Sequence, residues 1–291
     1  MTLTLAAQLA IAGISVGSIY ALVALAIVIP FKASGVLNFG QGEMVTVGAY
    51  AALILTQLGW PYPLMLAGVL TLGLLGGVLI ERALIRPIVS APEFTLVIAT
   101  FAIGLLIKGL ISLRFGDSPA AIDGPFGTEP LVALGLRFNP TSLWILACTT
   151  GVTLGVIGFF RYAKLGKAMR AVAINAEAAK LMGIKVTTVY RWSWAISTAI
   201  GALAGLLVAP LIGINPEIGQ LILRGLLGAV IGGFTSIVGA IVGGVAVGLI
   251  ETFAGVLVGS TFKNLVPFLL LMLLLVFRPQ GLFGMAEAKR V

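Results

Sequence analysis

"WSWAISTAIGALAGLLVAPLIG", residues 192–213, carries no charged side chain in 22 positions. A hydrocarbon core about 30 Å thick accepts about 20 apolar residues wound as a helix, so this stretch reads as a membrane span. Its Gly201 and Gly205 stand four apart on one helix face, the spacing that lets two helix backbones come close. Outward from it, further apolar runs lie at about 5–29, 36–58, 62–80, 94–113, 143–160, 219–236, 238–258 and 265–277. The chain is 59% hydrophobic and only 10% charged, whereas soluble domains carry about 25% charged residues. The expected fold class is therefore all-α, a polytopic transmembrane helical bundle forming a single domain over 1–291.

Orientation follows from lysine and arginine, which concentrate in cytoplasmic segments. Residues 81–93 hold Arg82 and Arg86. The interval 161–191 holds Arg161, Lys164, Lys167, Arg170, Lys180, Lys185 and Arg191. The C-terminal end holds Arg278, Lys289 and Arg290. These three segments are expected inside. The stretch 114–140, with Asp117, Asp123 and Glu129, and the uncharged "GWPYP" at 59–63 are expected outside. Tracing the chain puts the N-terminus outside and the C-terminus in the cytoplasm. Nine runs satisfy the parity of crossings. A re-entrant hairpin within 219–258 reduces the number to seven, and the expectation adopted is about eight spans. The N-terminus lacks a basic leader region, so it reads as the first span and not as a cleaved signal peptide. Trp60, Tyr62, Trp144, Trp192 and Trp194 are expected at span ends as an aromatic belt. Gly13/Gly17, Gly228/Gly232, Gly239/Gly243 and Gly244/Gly248 repeat the small-residue spacing of close helix packing.

Several chemistries are excluded. No histidine is present and Cys148 is the single cysteine, which removes His-based catalysis, imidazole ligation and any internal disulfide. The one Gly-Lys pair, Gly166–Lys167, is followed by Ala168, so no phosphate loop is formed. Acidic residues are scattered. No catalytic residue and no metal site is expected, and no cofactor is expected on this chain. The net charge of +8 and a pI near 9.9 read as the positive-inside bias of a membrane protein, not as a footprint for nucleic acid.

The polar interval 161–191 is rich in Ala, Leu, Met, Lys and Glu, which favour helix. Asn175 suits an N-cap, with Glu177 in the first turn at the positive end of the dipole. Gly183 stands where a left-handed residue ends a helix. The reading is a helix leaving the membrane, a break at Asn175, a short helix over about Ala176–Met182 and a stop. Leu181 and Met182 share its exposed face with Lys180, a face suited to a groove on another protein. A helix lying on the lipid surface is the plainer alternative.

"EAAKLMG" at 177–183 resembles the E-A-A-x-x-x-G core of the cytoplasmic loop in permease subunits of bacterial ATP-binding-cassette importers. With "SGVLNFGQGEMVTVGAYAA" at 34–52, "GKAMRAVAINAEAAKLMGIKV" at 166–186 and "FRPQGLFG" at 277–284, nearly the whole chain resembles the branched-chain amino acid permease family, the LivH type. The downstream Ile-x-Leu-Pro ending of the general importer loop is absent, and "KVTTVYRWSWAI" stands there instead. The resemblance implies an eight-span permease in a bacterial inner membrane. It also implies a second related permease subunit, two cytoplasmic ATPase subunits that carry ATP and Mg, and an extracytoplasmic solute-binding protein. The ATPase-coupling helix it implies falls on Asn175, Ala176, Glu177, Ala178, Ala179, Lys180, Leu181, Met182 and Gly183.

Charged or polar residues inside spans are costly and face the bundle interior or water. Asn38, Gln41 and Glu43 open the second run near its expected cytoplasmic end, within "GVLNFGQGE", whose glycines suit an interrupted helix lining a cavity. Lys108, Arg224 and Glu251 lie in or near later runs. Asn38, Gln41, Glu43 and Glu251 are the candidates for a translocation pathway. Buried structural hydrogen bonding is the alternative for them, and Lys108 and Arg224 are candidates for snorkelling. The reading adopted is a permease subunit of an ATP-driven importer for branched-chain or other hydrophobic amino acids; that related permeases handle urea, short amides or other small solutes gives the alternative cargo. A secondary transporter with Glu43 or Glu251 as coupling carboxylate, and a channel-like subunit, are the rival readings.

Overall fold

In hydrocarbon a backbone polar group finds no water, so long apolar runs satisfy their N–H and C=O groups internally as helices. The computed structural model describes residues 3–89, 91–127, 129, 131–133, 136–259, 262–263 and 265–284. Lys289 and Arg290, counted above with the cytoplasmic charges, lie outside the described residues. The helices are α1 Leu3–Ser34, α2 Gln41–Gln57, α3 Tyr62–Ile80, α4 Glu93–Phe115, α5 Pro140–Tyr162, α6 Lys164–Ile174, α7 Ala176–Leu181, α8 Val186–Ile212, α9 Leu221–Gly232, α10 Ile237–Leu257 and α11 Leu265–Phe277. The all-α class holds, with one small addition. An antiparallel hairpin of β1 Leu131–Ala133 and β2 Leu136–Phe138 sits in the connection between α4 and α5. Among the described residues six helices, α1, α3, α4, α5, α8 and α10, are long and apolar enough to cross a membrane unaided.

Contacts order these helices end to end. Gly13 and Gly17 of α1 face Leu249 and Val245 of α10, so the two run antiparallel. Gly73 and Gly77 of α3 face Ala199 and Ala195 of α8, again antiparallel. The last turn of α1, the segment after α3, the end of α5, α6, α7 and the start of α8 gather at one end. That end, which carries both internal basic segments, is called the basic end below.

Three further apolar stretches are composite. The chain leaves α1, runs non-helically through 35–40, and begins α2 only at Gln41, beside Gly201 near the middle of α8. The second run is thus not one helix from 36, and its polar opening lies at mid-depth, not at the expected cytoplasmic end. Thr100 of α4 accepts the Phe39 N–H at 3.2 Å, giving this irregular backbone a partner where water is scarce. After α8, Ile214 exchanges backbone hydrogen bonds with Ala120 at 2.8 and 2.9 Å. A short turn at Ile218–Gln220 then leads into α9, of 12 residues, about 18 Å long against a core of about 30 Å. Gly228 and Gly232 pack α9 onto Gly244 and Gly239 of α10. The α9–α10 turn reaches the basic end, where Lys32 donates to the Thr235 carbonyl at 2.9 Å. The pair therefore does not turn back short of that end. α11 has 13 residues, and the segment after it returns to the same end, with Leu282 and Phe283 N–H groups donating to Ile231 and Gly232 at 2.8 and 3.0 Å.

The core lies where α1, α2 and α8 meet; Leu22, Val23, Leu25, Val45, Ala49, Ala204 and Leu206 are fully shielded. α3, α4 and α5 flank it and turn apolar faces outward. Trp144 donates to the Tyr62 hydroxyl at 3.0 Å at the end opposite the basic one, as a belt position requires. Trp194 departs from the belt expectation. It is 1% exposed and packs with Val36, Ile85 and Leu96, because the extended segment after α1 covers it.

Gly205 meets the Val45 carbonyl with no room for a Cβ, and Gly48 meets Ala202 in the same way. Gly205→Leu is expected to lower stability by about 3 kcal/mol, the upper end of overpacking. Gly151, with nothing near an added Cβ, should accept alanine within about 0.5 kcal/mol. Thermal melts of the purified protein in detergent compare the two.

Candidate functional site

α6 and α7 form an elbow at the basic end. Asn175 has extended backbone angles, ends α6, and accepts the Ala178 N–H on its side chain at 3.0 Å. It therefore caps α7 where the sequence expected. At the far end Gly183 adopts φ +83°, its N–H donating to Lys180 at 3.0 Å and that of Ile184 to Ala179 at 3.0 Å. That pair of bonds closes a helix around a left-handed residue. The helix is a turn and a half long, yet fixed at both ends.

Its faces differ sharply. Ala179 is buried and Ala176 half-buried, packed on the main core. Glu177, Ala178 and Lys180 are exposed. Leu181 and Met182 are 88% and 82% exposed, and Ile174 across the elbow is 84% exposed. Three large apolar side chains thus stand in the open beside Lys180.

Beside α7 lies a cleft of about 660 Å³, bounded by Ser34, Glu81, Arg86, Glu177, Lys180 and Trp194 among others. Glu81, which sequence reasoning passed over, organises its wall. Its carboxylate is 2% exposed and accepts Arg86 Nε and Nη2 at 3.1 Å in a two-pronged pair. Arg191 of α8 stands 3.9 Å from the same group. Residues five apart do not meet on an α-helix, whose side-chain neighbours are three and four apart. They meet here because the helix widens into a π-type turn over Glu81–Ile85 before a tighter turn at Arg86–Ile88.

The four pathway candidates separate into three places. Asn38 donates to Gln41 at 3.1 Å, Gln41 donates to the Ser197 carbonyl at 3.1 Å, and the Ser197 hydroxyl donates to the Ala26 carbonyl at 2.6 Å with the Gln41 side-chain oxygen 3.0 Å away. This buried network ties α1, α2 and α8 together. Glu251 is 4% exposed, accepts the Tyr20 hydroxyl at 2.8 Å, and lies 3.7 Å from both Arg224 and Lys263. Glu43 alone sits at a partly open face. It accepts Thr46 at 2.9 Å and rests against Gly219. Nearby, Lys108 of α4 pairs with Glu217 at 2.6 Å, the two side chains 32% and 55% exposed. Gln220 also donates to the Glu217 carboxylate. Glu43, Thr46, Lys108, Glu217 and Gln220 make a polar strip between α2, α4 and the 213–220 connection.

Against this geometry, a family model described as the branched-chain amino acid transport system permease component matches residues 9–276. The chain belongs to that family. The high-affinity branched-chain amino acid transport permease LivH of Escherichia coli is 29% identical over 96% of each chain. BraD of Pseudomonas aeruginosa, a permease of the same description, is 30% identical over 96% of each. The galactofuranose transporter permease YtfT of E. coli is 26% identical over 61% of this chain and 49% of its own length. The family is a transport permease component and not itself catalytic. Among the described residues no group of His, Cys, Asp and Glu is placed to hold a metal ion.

In this permease Glu81→Ala leaves the Arg86 charge without its partner. Removing one member of a buried pair costs about 3–5 kcal/mol, and the partial exposure of both arginines reduces the expected loss to about 2 kcal/mol. Unfolding of the purified variant measures it, and Arg82→Ala, which enters no ion pair among the described residues, should change stability by under about 0.5 kcal/mol.

Proposed function

We propose that the chain is the permease subunit of an ATP-driven importer for branched-chain or other hydrophobic amino acids, in a bacterial inner membrane. It forms half of the translocation path beside a second related permease subunit. Two cytoplasmic ATPase subunits hydrolyse ATP with Mg, and an extracytoplasmic solute-binding protein delivers cargo. The names of the full-length relatives support the cargo class. The basic end then faces the cytoplasm, in keeping with the charge bias.

The observation that carries the coupling role is α7 itself. A six-residue helix fixed at both ends, with Leu181, Met182 and Ile174 unburied beside it, is a rigid apolar knob. Such a knob suits a groove on a globular partner, and α8 begins four residues after Met182. An ATPase closing on α7 moves α8 directly, with the Glu81 pair carrying the motion toward α3.

The polar strip supports a path along α2, α4 and 213–220. Lys108 lies seven residues from the end of α4, about 10 Å into the bundle. An exposed ion pair at that depth is expensive against lipid, so this face is turned to water or to the second permease subunit. Few fixed charges and loose contacts suit an apolar cargo that must be released. The Glu251 carboxylate, held by a tyrosine and two cations, is poorly placed to serve as the proton carrier of a secondary transporter.

The test is uptake of radiolabelled leucine in proteoliposomes holding the permease with its co-purified partners. Uptake is expected to need the binding protein and internal ATP; uptake that persists without ATPase subunits defeats the proposal. Leu181→Asp with Met182→Asp should cut transport at least tenfold while the permease remains folded by thermal melt. Wild-type transport by that variant removes the docking role.

A further inference from the structure

Three carboxylates of the bundle are paired with cations, Glu81 with two arginines, Glu217 with Lys108, and Glu251 with Arg224 and Lys263. Three cations that share one cleft have no such match among the described residues. A second cleft at the basic end, about 460 Å³ in volume, is lined by Lys32 at the end of α1, Arg161 at the end of α5 and Arg170 on α6. No acidic side chain among the described residues lines it. Lys32 donates to a backbone carbonyl, that of Thr235. Arg161 lies over the Tyr162 ring, 5.5 Å from its centroid. Neither these two nor Arg170 forms an ion pair among the described residues, and all three line the same cleft.

The cleft also receives the start of α10, a helix of 21 residues whose positive dipole end adds to the field. Ser236 caps that end, accepting the Gly239 N–H at 3.0 Å. The floor is apolar, with Ile157, Phe160 and Phe283. Three cations and a helix start above an apolar floor, at the end of a membrane bundle, match a phosphate headgroup with the first carbons of its acyl chains. Basic pockets between helices on the cytoplasmic side are where such headgroups bind.

We propose that this cleft is a binding site for an anionic phospholipid, its phosphate held by Lys32, Arg161 and Arg170. The lipid supplies the counter-charge that the chain does not, and it joins α1, α5, α6 and the α9–α10 turn. The inference concerns the isolated permease and stands whatever its cargo or ATPase.

The full chain is purified in phosphatidylcholine mixed micelles and titrated with phosphatidylglycerol, phosphatidylcholine or inorganic phosphate, following lipid retention by native mass spectrometry and the melting temperature. Phosphatidylglycerol is expected to be retained and to raise the melting temperature. Phosphatidylcholine and millimolar phosphate should do neither. Lys32→Gln with Arg161→Gln and Arg170→Gln should weaken phosphatidylglycerol binding on the order of a hundredfold, roughly fivefold for each cation near a membrane surface. A charge-matched control, Lys164→Gln with Lys167→Gln and Lys185→Gln, should retain the lipid. If the triple variant does not fold, Arg161→Gln alone, at an exposed position, should lose about fivefold. Equal loss in the control shows a response to net charge and overturns the site. Binding of inorganic phosphate with the same affinity makes it a free-anion site and overturns the lipid. Unchanged binding in the variants overturns both.

Discussion

Gly205 and Gly48 place the backbones of α8 and α2 in direct contact, at Val45 and Ala202. Lipid tails give helices no hydrophobic reason to associate, so close backbone approach has to supply much of the attraction. Much else follows from that approach. With α2 pressed on α8, Gln41 reaches the Ser197 carbonyl, and Ser197 reaches α1 at Ala26. α2 cannot start earlier, because residues 35–40 must first travel from the basic end to the depth of Gly201. That late start puts Glu43 against Gly219 and so draws the 213–220 connection toward α4 and Lys108.

The helical class was legible because it is a matter of composition. A run of uncharged apolar residues has few other stable forms in a bilayer. The cap at Asn175 and the stop at Gly183 were legible because both are local. One is a side chain bonding a backbone N–H three residues on, the other a glycine in a left-handed conformation. The composite stretches were not. Residues 219–236 are as apolar as a full span, and run length does not reveal that helix occupies only Leu221–Gly232. The place of Gln41 was likewise hidden, since its partner Ser197 is 156 residues away, and Asn38 follows Gln41. Glu81 was missed for a different reason. Its partner is at a spacing that means nothing on an α-helix, and only the π-type turn makes the pair.

Burial explains the division among the polar candidates better than polarity does. Gln41 is fully buried and its neighbours occupy its amide, so it holds helices together in this structure. Glu251 is as polar, yet it sits behind Tyr20 in the seam of α1, α9 and α10. Glu43 differs because glycine stands opposite it. A side chain at position 219 would meet the carboxylate, so the absence of one leaves that carboxylate at an open face, next to an ion pair that lipid would not tolerate.

Between α7 and that strip the path through the structure is short. Ala179 buries α7 against the core, Gly183 turns the chain, and α8 starts at Val186. Eleven residues along α8, Ser197 holds Gln41, which is two residues from Glu43. α8 is a single helix without a break between those points, and rigid elements with specific contacts at both ends are what can carry energetic coupling over such a distance. A displacement of α8 that left Gln41 where it is would have to bend α8 or break the Ser197 hydrogen bonds. Both cost more in a dry interior, where a released amide finds no water, than moving α2 together with α8. The glycine contacts that fix the bundle are therefore the same contacts that make α2 follow α8.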